Sequence, residues 1–256
     1  AQHAPATLSR NPVWAHDFPD PTVIRTADGT WYAYGTRGGY AGRLARIQVA
    51  YSPDGIRWTW RGDALGASPS WASRSERFWA PDVVYDSLRH RYVLFYAAQS
   101  DTGARSMAIG VAVSGSPLGP FRDTGKPLVT GTGFEAIDPM AFSDPVTGRK
   151  YLYWGSDSRP IRVRELSDDY LSFRKHASAS VALTPGGDGD YDRLIEGPWV
   201  TFHGGYYHLF YSGDNCCGAG AHYAVMVARS PSPTGPFTRY SAAHDAASSV
   251  ILHGSS

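Results

Sequence analysis

An acidic residue within two positions of a proline, at the start of an apolar run, recurs four times along this chain of 256 residues. The four are Asp20 in FPDPTVI, Asp82 in WAPDVVY, Asp138 in AIDPMAF and Glu196 in IEGPWV, at steps of 62, 56 and 58 residues. Self-similarity at a fixed period of this order is the mark of a repeat architecture. Shortly after each acid comes an aromatic run: Trp31–Tyr34, Tyr92–Tyr96, Tyr151–Trp154 and Tyr206–Tyr211. A third run follows in every repeat: Ile47–Ala50, Ile109–Ala112, Ile161–Val163 and Ala224–Val227. These runs are short, β-branched or aromatic, and bounded by Gly, Pro, Asp and Ser, which is the grammar of strands and turns.

One match is close to literal. VAVSGSPLGPF at Val111–Phe121 returns as VARSPSPTGPF at Val227–Phe237, 116 residues later, and a looser copy, VAYSPDG, occupies Val49–Gly55. A unit of this length with three or four antiparallel strands is a propeller blade. A lone blade cannot bury both faces of its sheet, so neighbours stack around an axis. An acid at the same place in every repeat then sets all four carboxylates near one mouth of that axis. Four blades fit the chain, and a fifth acidic position falls near residue 254. The expectation is an all-β propeller forming one domain over residues 1–256, with a last blade apparently truncated.

Composition removes other classes. A net charge of +1 offers nothing to nucleic acid or to an anionic membrane surface. No apolar run reaches the length of a membrane span. The start, AQHAPATLSRNP, reads as a mature end left after removal of a signal peptide, hence a secreted protein. Aromatic residues make up 13% of the chain. Most of them belong to the packing between blades, and those at the mouth are free to stack on sugar rings.

Three or four carboxyl groups at one mouth repel one another, which raises at least one pKa and leaves an acid and a base together at the same pH. Glycoside hydrolysis needs that division of labour. A single Asp-Pro is ordinarily a turn or strand-start cap, and Asp82 reads as structural. Asp17 and Glu135, three residues before Asp20 and Asp138, read as loop residues, solvated or hydrogen-bonded. Asp188, Asp190 and Asp192 imitate the start of a calcium loop, but Arg193 and Trp199 stand where Gly and Glu are required. No zinc, Walker or Rossmann signature is present.

The adjacent Cys216 and Cys217 are the only cysteines. Neighbouring Cα atoms lie about 3.8 Å apart, shorter than most disulfides span. The pair is therefore either a vicinal disulfide or two thiols in a Gly-rich loop.

HDFPDPTVI, FWAPDVVY, AIDPMAF and LIEGPWV, in this order, resemble glycoside hydrolase family 43 over about residues 11–240. The resemblance implies a five-bladed β-propeller, of which four blades are evident in this chain and the fifth is incomplete. It implies an inverting hydrolase with Asp20 as general base, Asp138 as the residue that tunes and orients the acid, and Glu196 as general acid. Base and acid would then stand about 6.5–9.5 Å apart. It also implies that Trp79 lines the sugar subsites. His16, in HDFPDP, is a further candidate for touching substrate. No cofactor is required; a structural Ca²⁺ on the axis is implied, though the sequence shows no ligand set for it. The expected substrate is plant cell-wall arabinan or an arabinose-containing oligosaccharide, and the expected state is a monomer.

Within the family, the AIDPMAF and LIEGPWV pair and YAVMVARSPSPTGPF look most like the arabinan-acting branch. The insert Gly62–Arg77 and the loop Asn215–His222 are long enough to wall off one end of a groove, which favours an exo-acting α-L-arabinofuranosidase. Endo-arabinanase and β-xylosidase are the alternatives. A sugar-binding propeller without catalysis is the alternative outside enzymes. A protein-binding propeller fits the acidic motifs poorly. Retaining fructan enzymes resemble it less, because Pro19-Asp20-Pro21-Thr22 lacks their Asn-Asp-Pro-Asn pattern.

Overall fold

A computed structural model describes residues 11–102, 106–155, 158–186, 191–244 and 248–253. The start over residues 1–10 and the fifth acidic position near residue 254 lie outside these. The described residues form four successive antiparallel sheets, the four blades of a β-propeller.

The first blade orders β1 (Thr22–Arg25), β2 (Trp31–Gly35), β5 (Gln48–Ser52) and β6 (Thr59–Asp63), with a hairpin of β3 (Gly38–Tyr40) and β4 (Arg43–Ala45) between β2 and β5. The second holds β7 (Phe78–Asp86), β8 (Arg91–Gln99), β9 (Met107–Ser114) and β10 (Arg122–Asp123), with β11 (Val129–Thr130) also on β9. The third holds β12 (Met140–Ser143), β13 (Lys150–Trp154), β14 (Ile161–Leu166) and β15 (Ser180–Leu183). The fourth holds β16 (Ile195–His203), β17 (Tyr206–Asn215), β18 (His222–Ser230) and β19 (Thr238–Arg239). A short helix, Tyr240–His244, then leads to β20 (Val250–His253), which returns to β18. The four aromatic runs are the second strands of the blades, and the four runs after them are the third strands.

The period-2 pattern of these strands assigns each face to a neighbouring blade. Tyr34, Ile47 and Val49 of the first blade pack against Val83, Leu94 and Tyr96 of the second. The other face of the second blade, with Val93, Phe95, Ile109 and Val111, meets Ala141, Leu152, Trp154 and Leu166 of the third. Tyr153, Ile161 and Val163 then meet Val200, Leu209, Tyr211 and Met226 of the fourth. Each fully buried Leu, Val or Phe in these layers contributes about 1.5–3 kcal/mol.

The near-literal repeat has a shared purpose. Tyr34 donates its hydroxyl to the Pro117 carbonyl at 2.6 Å, and Tyr153 does the same to the Pro233 carbonyl. Each tyrosine thereby ties its blade to the SPLGPF or SPTGPF turn of the next one. Gly119 and Gly235 hold matching positive φ angles of 81° and 75° in those turns. An added Cβ at Gly119 would stand 2.5 Å from the Ala64 carbonyl oxygen, so glycine is required there.

Candidate active site

The first strand of every blade begins with the same irregularity, and the irregularity is what aims the acids. Asp20, Ala80, Asp138 and Gly197 all lie at positive φ, 50°, 45°, 52° and 59°, and each precedes a proline. The register breaks at this point in the second and fourth blades, between Trp79 and Asp82 and between Glu196 and Trp199. These are bulges: two residues leave the ladder, and the strand turns toward the mouth. Counted on this position, the repeat advances by 60, 58 and 59 residues, more evenly than the acids do.

The expectation of one shared acidic position therefore needs correction. Only Asp20 and Asp138 occupy it. Glu196 stands one residue before its bulge, at the place that Trp79 holds in the second blade. Asp82 stands two residues after, level with Thr22, Met140 and Trp199. The prolines at 21, 81, 139 and 198 carried the true frame in the sequence; the acids, being more conspicuous, masked it.

A backbone amide inside a bulge serves the acid of the preceding blade. The Gly197 N–H donates to Asp138 Oδ2 at 2.9 Å. The Ala80 N–H donates to Thr36 Oγ1 at 2.8 Å, and the Thr36 hydroxyl donates to Asp20 Oδ2. The difference follows from one residue. Thr36 N–H bonds the Pro19 carbonyl, and Gly155 N–H bonds the Ile137 carbonyl in the same way, so Thr36 and Gly155 are equivalent. Lacking a side chain, Gly155 leaves Asp138 to take its amide directly. Nothing in the sequence motifs singled out Thr36, which depends on a contact between blades.

Asp138 is part-buried, and its carboxyl is held well above the ordinary range. Burial is the largest cause, followed by the charges of Glu196 and then Asp20, with the Gly197 amide opposing. The three acids thus share one mouth. Glu196 accepts a hydrogen bond at Oε1 from the Tyr223 hydroxyl, 2.6 Å away on β18. Tyr223 was also missed by motif reading, because it approaches Glu196 from two strands away in the same sheet.

Asp82 is tied into the framework, as its structural reading anticipated. Its carboxylate takes the Thr22 hydroxyl of the first blade at 3.1 Å and the Ala141 N–H of the third at 2.7 Å. Burial pushes its pKa up to about 6 against the ordinary 3.8, despite both hydrogen bonds. Between these values the folded protein binds more protons than the unfolded chain, so stability falls as pH rises through that window. The shift costs up to about 3 kcal/mol at neutral pH. An asparagine retains an acceptor for Ala141 and offers a donor to the Thr22 oxygen. Asp82→Asn is expected to flatten the dependence of unfolding free energy on pH between about 4 and 7, measured by urea denaturation at each pH. Parallel curves for variant and wild type would show that Asp82 is not the group responsible.

Trp79 is part-buried beside the mouth, stacked on Phe134 with ring centroids 5.9 Å apart and an interplanar angle of 27°. The Arg77 guanidinium lies over the Trp79 ring, 5.7 Å from its centroid. His16 is exposed and sits in a rim cluster, 4.5 Å from the Tyr40 ring and 5.3 Å from Trp14. Asp17 is exposed, and Glu135 bonds Thr132 and pairs with Arg159 at 3.1 Å. Cys216 and Cys217 form a disulfide, which settles the alternative left open by the sequence. Register places both long loops at this mouth. Gly35, Gln48 and Asp63 are paired across the first blade, so the insert starts beside Thr36. Ser212 pairs with Glu196, and Asn215 lies three residues further out.

Among the described residues no three His, Cys, Asp or Glu side chains gather to hold a metal. No step below uses the axial calcium implied by resemblance. No helix among the described residues is long and apolar enough to cross a membrane.

The family model described as glycosyl hydrolases family 43 matches residues 9–247. A probable arabinan endo-1,5-α-L-arabinosidase A of Aspergillus flavus is 33% identical over 247 residues, covering 91% of this chain and 72% of that protein. The extracellular exo-α-(1→5)-L-arabinofuranosidase ArbA of Cellvibrio japonicus is 30% identical, covering 86% of this chain and 66% of that protein. The solved structure of an α-L-arabinanase from Cellvibrio cellulosa superimposes with a TM-score of 0.73 at 25% identity, over 89% of this chain and 75% of the other.

Proposed function

This chain belongs to glycosyl hydrolases family 43 and is a glycoside hydrolase; from that premise we propose that it removes terminal α-L-arabinofuranosyl residues from arabinan, with inversion. In this reading Glu196 protonates the departing glycosidic oxygen, Asp20 takes a proton from the attacking water, and Asp138 orients and tunes the acid. One observation carries it: the Asp138 carboxyl feels the charges of both Glu196 and Asp20. Burial and these charges raise the Asp138 carboxyl, which keeps a proton beside Glu196 as the pH rises. Through the Gly197 amide, Asp138 also fixes the peptide next to Glu196.

The exo mode is supported by the two loops at the mouth, Gly62–Arg77 and Asn215–His222, which favour a pocket over a cleft. The second reading, endo attack, is favoured by the name of the Aspergillus relative. An extracellular location accords with the name of the Cellvibrio relative. Trp79 is read as a stacking surface for a sugar ring, and His16 as a rim contact. The chain is read as acting as a monomer.

Digestion of linear 1,5-arabinan tests the proposal. Arabinose is expected as the sole early product, appearing first as the β-anomer by proton NMR. A ladder of oligosaccharides would replace exo with endo action. The α-anomer appearing first would exclude inversion.

A further inference from the structure

We propose that Tyr223 is a positioning residue that holds the Glu196 carboxyl so that its proton is carried on Oε2 and faces the glycosidic oxygen. The inference rests on the reading of Glu196 as general acid. A carboxylic acid offers its proton from one oxygen at a time. The Tyr223 hydroxyl donates to Oε1 at 2.6 Å, so Oε1 is engaged as an acceptor. The proton is directed to the other oxygen.

The donor is itself held in place. Tyr223 lies on β18 opposite Asp214 of β17, and Ser212, level with Glu196 on the intervening strand, places its hydroxyl near enough to act on the phenol. Ser212, Tyr223 and Glu196 thus lie on three adjacent strands of one sheet, with Tyr223 bonded to Glu196. Burial and the nearby Glu196 charge push the phenol well above its ordinary pKa, so it remains a donor at any working pH. Asp138 fixes the backbone after Glu196, and Tyr223 fixes the carboxyl end. Two anchors leave the side chain with one orientation. A reacting group displaced by about 1 Å loses on the order of 10²-fold in rate, so this second anchor is worth having.

Tyr223→Phe removes the hydroxyl and keeps the ring. The expected result is a fall of about 10- to 100-fold in kcat/KM on linear arabinan, whose leaving group must be protonated. On 4-nitrophenyl α-L-arabinofuranoside, which departs as a stable phenolate, the change is expected within about two-fold on the same principle. Ser212→Ala, which leaves Tyr223 in place and removes the neighbouring hydroxyl, is expected to show the same split with a smaller amplitude. An equal fall on both substrates, or an undiminished rate on arabinan, would overturn the proposal. Glu196→Ala assayed beside them separates the two readings. If that variant shows no split between the substrates, the assignment of Glu196 fails; if it does and Tyr223→Phe does not, only the positioning role fails.

Discussion

Replacing Glu196 with alanine is expected to lower kcat/KM on linear 1,5-arabinan by about 10²–10⁴-fold, the range over which a positioned proton donor contributes. That corresponds to about 3–5 kcal/mol of transition-state stabilisation. The loss is expected to depend on the leaving group. A sugar alkoxide cannot depart unprotonated, whereas 4-nitrophenolate can, so the aryl glycoside should retain most of its rate. Glu196→Gln is the useful companion. Its amide oxygen still accepts from Tyr223, so any defect it shares with the alanine variant reflects the missing proton rather than a loosened hydrogen bond. Equal losses on both substrates would remove Glu196 from the role of acid.

The second large effect is expected at Asp20. Asparagine tolerates the positive φ of 50° at this bulge better than alanine and can still accept from Thr36. It cannot take a proton from water. Asp20→Asn should lower kcat by about 10²–10⁴-fold on both substrates, with no leaving-group preference. Azide is an anion that attacks without losing a proton. It should restore turnover of the aryl glycoside, forming a β-arabinofuranosyl azide as the phenolate leaves. A rate within about ten-fold of wild type would fall below the usual contribution of a general base and would exclude Asp20 from that role.

The strands were legible because their signal is local. The aromatic run at Tyr92–Tyr96 and the run at Ile109–Ala112 are short, aromatic or β-branched and bounded by turn residues, and they lie within β8 and β9. The repeat between Val111–Phe121 and Val227–Phe237 was equally plain, since the same turn is used twice for the same latch from Tyr34 and Tyr153. Asp20, Asp138 and Glu196 could be picked out as candidates because each lies within two residues of a proline at blade spacing.

Their equivalence was misjudged. Residue type drew attention to the acids, while geometry repeats on the residue before the proline, whatever its side chain. Ala80 and Gly197 share the bulge with the two aspartates and carry no chemistry that a motif would display. What they contribute is a backbone amide, which every residue here possesses and no sequence pattern marks.

The chain alone thus determined the blades, their number among the described residues, and three acids worth testing, because periodic burial and turn chemistry act over a few neighbouring residues. Only the tertiary structure decided that Asp82 joins the first blade to the third, that Thr36 stands between Ala80 and Asp20, and that Tyr223 holds Glu196. Each of these contacts joins residues 16 to 60 positions apart. Their geometry is set by the twist and stacking of whole sheets, which no local stretch of sequence contains.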